Sequence, residues 1–198
     1  MSTDPAPNKS GGFWQWLWRP PRRWFLLGIP AGGAVAFVAG ILFLGGMHTA
    51  LGAFETVGFC TSCHEMDTAY QEYTQSVHYK NAVGIRAICA DCHVPKAFFP
   101  RVFRHMKASL EVWGHIRGEI STPAKFEAER QQLAQAVWDD LKADNSAECR
   151  SCHSYSAMAL ELQGHSAAKK HTEEYIAQSG MTCIDCHQGV AHKLPSGS

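Results

Sequence analysis

Residues 60–66 read Cys-Thr-Ser-Cys-His-Glu-Met, and this stretch decides how the rest of the chain is interpreted. Two thiols three residues apart can form thioether bonds with the two vinyl groups of a haem, and the adjacent imidazole can reach its iron. The pattern Cys-x-x-Cys-His therefore predicts a covalently attached c-type haem. It occurs four times, at Cys60–His64, Cys89–His93, Cys149–His153 and Cys183–His187.

The four copies use every cysteine of the chain. A single Cys-x-x-Cys pair could equally be a zinc clip, a disulfide or a thioredoxin-like redox pair. None of these requires a histidine directly after the second cysteine in every copy. We therefore predict a tetrahaem cytochrome c whose haems are attached to Cys60, Cys63, Cys89, Cys92, Cys149, Cys152, Cys183 and Cys186.

An uncharged apolar run precedes the first motif. No Asp, Glu, Lys or Arg occurs from residue 24 to residue 54, and residues 24–46 are long enough to cross a bilayer core as a helix. The apolar part of a cleaved signal peptide is shorter, about 7 to 15 residues. We therefore predict a membrane anchor at 24–46, a cytoplasmic tail at 1–23 and a periplasmic cytochrome domain at 47–198.

The charges that flank this run predict its orientation. Lys9, Arg19, Arg22 and Arg23 precede it, whereas the first charge after it is Glu55. Basic residues stay on the cytoplasmic side, so the N-terminus is expected there and the cytochrome domain outside. Covalent haem attachment also occurs outside the bacterial cytoplasm. Both arguments predict a single-pass protein of the inner membrane.

The overall charge is balanced, with 18 basic and 18 acidic residues. The chain contains no basic tract and no phosphate-binding loop, so neither nucleic acid nor a nucleotide is expected as a ligand. Several Lys and Arg side chains are instead expected to pair with haem propionates.

The cytochrome domain has little room for an ordinary hydrophobic core. About 150 residues enclose four haems, fewer than 40 for each, so the macrocycles are expected to fill the interior. Strand patterns are weak, and the predicted fold class is mostly α with extensive loop. One helix is predicted from Pro100 to about Arg117, and another from Pro123, behind a Thr122 cap, to about Ala143.

The spacing of motifs and lone histidines repeats along the chain. His64 is followed after 14 residues by His78, and His153 is followed after 18 residues by His171, each ahead of the next motif. Each half therefore reads motif, histidine, motif. This pattern predicts two dihaem units joined by the two long helices.

Each iron takes two axial ligands, and the motifs supply one for each haem: His64, His93, His153 and His187. The histidines outside the motifs exceed the remaining positions: His48, His78, His105, His115, His165, His171 and His192. We predict His78 and His171 as second ligands from their repeated positions, and His105 from its place on the first long helix. The others are expected to be propionate partners or surface residues, with His192 as the first reserve.

Met66 introduces an alternative at the first haem. It lies two residues after His64, on the same side of one flat macrocycle, so these two side chains cannot straddle the iron. If Met66 binds, it displaces His64, and the opposite axial position can stay open. The alternative role for Met66 is soft packing against the ring. An open haem beside the membrane is a place where a lipid-soluble reductant could meet the haems.

Taken together, these features resemble the NapC/NirT family of membrane-anchored tetrahaem quinol dehydrogenases. The resemblance covers the chain from the anchor onward. It rests on CxxCHxM at 60–66, His78, CADCHVP at 89–95, VWG at 112–114, Thr122-Pro123, CRSCH at 149–153, His171, and CIDCH at 183–187 followed by GVAH at 189–192.

The resemblance implies a function. Menaquinol or ubiquinol would be oxidised at the outer face of the membrane, and electrons would pass through the haems to a separate periplasmic reductase. Nitrate reductase is favoured because this short branch of the family commonly serves it. Two other functions stay open: a passive electron-transfer anchor without its own quinol site, and a quinone reductase that works in the reverse direction.

The resemblance also implies roles for single residues. The Met of CxxCHxM is a ligand of the first haem, which is Met66 here, and an acidic residue of the quinol pocket corresponds to Glu111. Glu111 could instead be a solvated charge paired with Lys107. Relatives often use Lys as the second ligand of the second haem, where this chain has His105. Lys96 and Lys107 are the alternatives at that position.

Overall fold

The computed structural model describes residues 12–13, 25–26 and 29–196. The predicted cytoplasmic tail at 1–23 lies almost entirely outside the described residues, and so do the basic residues that predict the orientation. The chain divides into two units, Met1–Gly52 and Ala53–Ser198.

The first unit contains the apolar helix. Two short strands, β1 (Phe25–Leu26) and β2 (Ile29–Pro30), pair in the antiparallel direction ahead of it. Helix α1 then covers Ala31–Phe54. Its residues Gly32–Phe54 have a mean hydropathy of 1.9 and are long and apolar enough to cross a membrane.

Helix α1 is offset from the predicted span, because it begins at residue 31 instead of 24 and ends at 54 instead of 46. Pro30 accounts for the late start, since proline disfavours helical backbone in the residue before it. The helix continues past 46 because residues 47–54 carry no charge. The hydroxyl of Thr49 also donates to the carbonyl of Gly45 at 2.9 Å, so this polar group is satisfied within the helix.

The second unit consists of helices and loops. Its α-helices are α2 (Val57–Cys60), α3 (Asp67–Tyr73), α4 (Cys89–His93), α5 (Phe98–Arg117), α6 (Pro123–Ala143), α7 (Ala147–Arg150), α8 (His165–Lys170), α9 (Glu173–Ser179) and α10 (Cys183–Cys186). Short 3-10 helices lie at His64–Met66, Tyr155–Ala157 and Leu160–Leu162. Residues 53–196, the described part of this unit, contain no β-strand, and the mostly α fold class is confirmed.

The two long helices begin and end at the signals that predict them. The hydroxyl of Thr122 accepts a hydrogen bond from the Lys125 N–H at 3.3 Å, and Pro123 is the first residue of α6. α5 begins at Phe98, two residues before the predicted start, and ends before Gly118. The φ of 67° at Gly118 is the left-handed conformation that terminates many helices and favours glycine.

The side-chain core of the second unit is small. Its buried apolar residues, among those the structure describes, are Tyr73, Ala90, Trp138 and Ile184. The hydroxyl of Tyr73 also donates to the carbonyl of Ala87 at 2.6 Å, so its polar end is satisfied. A domain of this length normally buries more apolar side chains than these. The small core agrees with the prediction that haems fill much of the interior.

Arg130 links three segments of the second unit. Its guanidinium, 8% exposed, donates to the carboxylate of Glu72 on α3 at 2.6 and 3.0 Å and to Glu127 on its own helix at 2.7 Å. It also donates to the carbonyl of Lys193 at 3.1 Å. Burial by itself would raise the pKa of Glu72, but the hydrogen bonds from Arg130 and the Lys193 N–H hold that pKa below its usual value. The C-terminal segment is thereby fixed to α3 and α6.

Candidate haem and electron-transfer site

The four motifs lie at short helices. The first motif follows directly on α2, which ends at Cys60, and the others occupy or adjoin α4, α7 and α10. Asp91 and Asp185, the residues between the paired cysteines, accept hydrogen bonds from the backbone N–H groups of Ile88 at 2.8 Å and Thr182 at 2.7 Å. These carboxylates cap the helix starts of the second and fourth motifs.

All eight cysteine thiols are free, and no disulfide joins them. In each motif the first cysteine is partly buried and the second is exposed, so none of the paired residues is closed off from solvent. The residues present therefore fit four covalent attachments, and they do not form a closed zinc site or a redox disulfide.

The motifs are neighbours in the order 1, 2, 3, 4. The thiols of Cys60 and Cys89 lie within hydrogen-bonding reach, which lowers the pKa of Cys89 to about 7. α4 packs against α7, which connects the second motif with the third. Burial, and after it the neighbouring thiol of Cys183, raises the pKa of Cys149 to about 11, and the buried hydroxyl of Ser146 accepts from the Ile184 N–H at 3.3 Å. These contacts connect the third motif with the fourth.

All four motif histidines have a second imidazole at about the separation that one iron requires. At the first motif the pair is His64 and His115, 6.1 Å apart, whereas the other three pairs have no carboxylate of the described residues between them. Ligands on opposite sides of an iron, each about 2 Å from it, put two imidazole centroids about 6 Å apart. The centroid separations are 6.2 Å for His93 and His192, 6.2 Å for His78 and His153, and 5.7 Å for His171 and His187. The histidine pairs therefore fit three bis-imidazole haems.

Hydrogen bonds orient two of these imidazoles. Nδ1 of His171 lies 2.6 Å from the side-chain oxygen of Gln163, and Nδ1 of His78 lies 3.4 Å from the carbonyl of Val190. An N–H at Nδ1 that donates to such an oxygen leaves Nε2 unprotonated and available to a metal. The structure thus places both His78 and His171, the ligands predicted from the repeat, beside motif histidines.

His105 lies elsewhere. Its Nε2 is 3.0 Å from the carboxylate of Glu55, which is also held by Arg101 at 2.6 and 2.8 Å, and its ring centroid is 6.3 Å from that of Phe54. The ring that approaches His93 is that of His192, the reserve candidate. In the sequence, His192 is notable only because it follows His187 of the fourth motif closely. That position suggests the fourth haem, whereas the structure places His192 beside the second motif.

The pair formed by His93 and His192 is neutral. Burial lowers the pKa of His93 to about 4, with smaller effects from His192 and Arg104. Burial also lowers the pKa of His192 below its usual value, although the charge of Glu72 opposes this shift. Neutral imidazole is the form that binds a metal, so both rings are in the protonation state required of ligands.

The first motif has a different environment. Nε2 of His64 lies 3.1 Å from the carbonyl of Ser121, and the ring centroid of His115 is 6.1 Å away. Glu65 is buried between these histidines, 2.5 Å from Nδ1 of His115 and 3.5 Å from Nδ1 of His64. Donor atoms of Cys63, Glu65 and His115 all lie within 4.8 Å of one another. Sequence reasoning missed Glu65 and placed His115 among the surface or propionate histidines, because neither has a distinctive spacing.

Glu111 is exposed and paired. Its carboxylate, 59% exposed, accepts a hydrogen bond from Arg104 at 2.9 Å, and Arg104 also donates to the carbonyl of His93 at 3.2 Å. Lys107, the alternative partner, is instead 2.7 Å from Asp140 on α6. The other reserve ligand, Lys96, is 2.6 Å from Asp91. Arg104 therefore links Glu111 to the second motif.

These observations define a class of protein: a multihaem c-type cytochrome of electron transport with one apolar helix able to anchor it in a membrane. Comparison with known proteins identifies the family within that class. The model of the NapC/NirT cytochrome c family, N-terminal region, matches residues 25–197, and the chain belongs to this family.

Several relatives align with most of the chain. The cytochrome c-type protein NapC of Escherichia coli strain K12 is 47% identical over 195 residues, which cover 98% of this chain and 94% of the relative. The denitrification system component NirT of Stutzerimonas stutzeri is 46% identical over 198 residues, with 98% and 96% covered. A putative tetraheme cytochrome of Allochromatium vinosum is 46% identical over 160 residues, with 81% and 86% covered. No solved structure matches the chain.

Proposed function

We propose that this protein oxidises quinol at the periplasmic face of the bacterial inner membrane and passes the electrons to a separate periplasmic reductase. The observation that carries the proposal is that the first haem-attachment site follows the apolar helix within a few residues of the sequence. The apolar helix α1 ends at Phe54, and the first haem-attachment cysteine, Cys60, follows six residues later. A redox centre so close in the chain to a membrane helix is within reach of a donor dissolved in the lipid.

The contacts between motifs support an electron path from first to fourth. Each haem, when bound, supplies a centre that accepts and releases one electron. The protein contributes by holding neighbouring attachment sites together: Cys60 beside Cys89, α4 against α7, and Ser146 beside Ile184. No domain movement is needed to bring these sites into contact. The arrangement in two dihaem units stays a prediction. His78 belongs to the first of these units in sequence, but it lies beside His153 of the second, so one unit contributes a side chain to the other.

We assign the axial ligands from the histidine pairs. The second haem takes His93 and His192, the third takes His153 and His78, and the fourth takes His187 and His171. This assignment replaces His105 by His192.

At the first haem we propose Met66 as a ligand. Nε2 of His64, the nitrogen that normally binds haem iron, is engaged with the carbonyl of Ser121 at 3.1 Å. Met66 is in the 3-10 helix that begins at His64, so its thioether can take the same side of the macrocycle. A first haem ligated in this way would differ from the three bis-imidazole haems.

Quinol oxidation releases two protons, and we propose Glu111 as the residue that accepts one of them. The guanidinium of Arg104 keeps the Glu111 carboxylate in place at 2.9 Å, and the same guanidinium contacts the backbone of the second motif. The exposure of Glu111 provides a route for the proton to solvent.

The proposed acceptor is a soluble reductase of nitrogen-oxide respiration, with nitrate reductase favoured. One relative is named as a component of a denitrification system, and it matches this chain over nearly its full length. The orientation with the N-terminus in the cytoplasm and the haem domain in the periplasm follows from the basic residues before the helix.

The test is reconstitution of the full-length holoprotein in liposomes that contain menaquinol or ubiquinol. We expect rapid reduction of the haems and, after nitrate reductase is added, continuous turnover on nitrate. Haems that dithionite reduces but neither quinol reduces would show a passive anchor subunit. Oxidation of pre-reduced haems by added quinone, without the forward reaction, would show a quinone reductase.

The role of Glu111 is tested in the same system. We expect Glu111→Gln to slow haem reduction by quinol about 100-fold, with dithionite reduction unchanged. Asp140→Asn, which removes the partner of Lys107, is the matched control because Asp140 is also exposed and paired with a cation from α5. Equal rates in the Glu111→Gln and wild-type proteins would exclude Glu111 as the base without affecting the proposal of quinol oxidation.

A further inference from the structure

Helix α5 carries an apolar stripe that faces solvent. Its members recur at alternating intervals of four and three residues, which places them on one side of a helix. Their exposed fractions lie between 58% and 73%, and they are Phe99, Phe103, Met106, Leu110 and Trp113. We refer to these five side chains as the α5 stripe. The pattern at 100–117 is typical of a helix packed on a core, but this face packs on none of the described residues closely enough to be buried.

The opposite side of α5 makes the contacts with the haem domain. Arg101 bonds to Glu55, Arg104 donates to the His93 carbonyl, and His115 contacts the buried Glu65. At about 100° per residue, these three side chains point roughly 140° to 200° away from Phe99. The α5 stripe therefore faces away from the first and second motifs.

The start of α5 contacts the first residues of its own unit, directly after Gly52. Phe54, the last residue of α1, lies with its ring centroid 6.3 Å from that of His105, and Glu55 receives two hydrogen bonds from Arg101. Arg101 and Glu55 are both largely buried. The first half of α5 is thus fixed to the residues where the chain leaves α1.

The composition of the α5 stripe also suits a lipid surface. Three basic residues of α5 are already paired with carboxylates of the protein: Arg101 with Glu55, Arg104 with Glu111 and Lys107 with Asp140. Attraction to lipid would therefore come from the apolar side chains and not from the charge. Helices that expose Phe, Leu and Trp along one face bind in the plane of a bilayer, at its interface with water. Trp113 and the two phenylalanines of the stripe are side chains typical of that interface.

We propose that α5 lies in the outer lipid–water interface, with the α5 stripe inserted among the acyl chains, as a second membrane contact beside α1. The partner is the lipid surface itself. This contact would hold the haem domain against the bilayer whatever molecule donates the electrons, so the proposal does not depend on quinol oxidation.

The test uses the full-length holoprotein in nanodiscs of phosphatidylethanolamine and phosphatidylglycerol. The photo-crosslinking residue p-benzoylphenylalanine is introduced separately at positions 103 and 110. Unchanged haem spectra show that each variant is folded. After irradiation, we expect a mass increase equal to one phospholipid at both positions.

Position 162 is the matched control. Leu162 is 84% exposed, apolar and in the same unit, but it is outside the α5 stripe, so lipid adducts there are expected to be several-fold fewer. Equal labelling at 103, 110 and 162 would overturn the proposal. Adducts at 103 or 110 with a second copy of the chain or with another protein would also overturn it, because they would show a protein partner for the stripe.

Discussion

The ligand of the second haem can be decided by one pair of substitutions. His192 lies 6.2 Å from His93 between ring centroids, whereas His105 lies 3.0 Å from the Glu55 carboxylate through Nε2. We expect His192→Ala to remove one axial ligand from one haem of four and to convert that haem from low spin to high spin. We expect His105→Ala to leave the spin state of all four haems unchanged.

The number of haems that change spin state follows from the separations between the histidine rings. In the proposed assignment each pair of imidazoles serves one iron, and His192 lies beside His93, so the expected change is one haem equivalent per molecule. Low-temperature electron paramagnetic resonance and magnetic circular dichroism of the purified holoprotein count low-spin and high-spin haems separately. His165→Ala, at an exposed histidine at the start of α8, is the control.

The opposite result would refute the reasoning. If His105→Ala gains one high-spin haem while His192→Ala keeps the wild-type spectrum, the second haem is ligated by His105, and the contact with Glu55 does not persist in the holoprotein. Loss of a haem from the protein, measured by the pyridine haemochrome assay, would be a failure of attachment and not of ligation. The count is therefore always normalised to four attached haems.

Three further predictions concern stability, pH and the first haem. Arg130→Met is expected to destabilise the holoprotein by about 3 to 5 kcal/mol in guanidinium unfolding, because it leaves Glu72, whose side chain is 7% exposed, as an unpaired buried carboxylate; a change below 1 kcal/mol would contradict this. Burial, and after it a hydrogen bond with Asp144, raises the pKa of Glu148 from 4.5 to about 7. The contribution of this residue to the free energy of unfolding is therefore fully present below pH 4.5 and is lost as the pH rises through about 7. Glu148→Gln should therefore flatten the fall in thermal midpoint between about pH 4.5 and pH 7, and an unchanged fall would count against the assignment. Met66→Leu, which keeps the volume but removes the sulfur, is expected to change the optical and spin-state signature of one haem only; a spectrum identical to wild type would leave Met66 as a packing residue.

The parts of the fold that depend on local signals could be predicted from the sequence. Thr122 and Pro123 start α6 where the capping rule places them, and Gly118 ends α5 directly after Arg117, its predicted last residue. The limits of α1 could not be predicted from hydropathy alone, because the uncharged run begins before the helix and the helix continues past the most apolar part of that run, to Phe54. Pro30 moves the start, and the uncharged residues before Glu55 move the end.

The ligand assignment shows the limit of spacing arguments. His78 and His171 were predicted from a repeat, and the structure places both beside motif histidines. The partner of His93 is 99 residues away in sequence, at His192, and no local pattern connects them. Glu65 was missed for a related reason: a charged residue inside a motif gives no sign that folding will bury it between two histidines.

The imidazole beside His93 belongs to a residue 99 positions later in the sequence, and this has a consequence for biosynthesis. A polypeptide leaves the ribosome from its N-terminus, so the second attachment site is exported long before the residue proposed to complete it. A chain that stops just after the fourth motif would keep every thioether position and still lack His192, which Arg130 anchors through the adjacent Lys193. Under the proposed ligand assignment, such a truncation would leave the second haem without one axial ligand while the fourth haem kept both of its ligands.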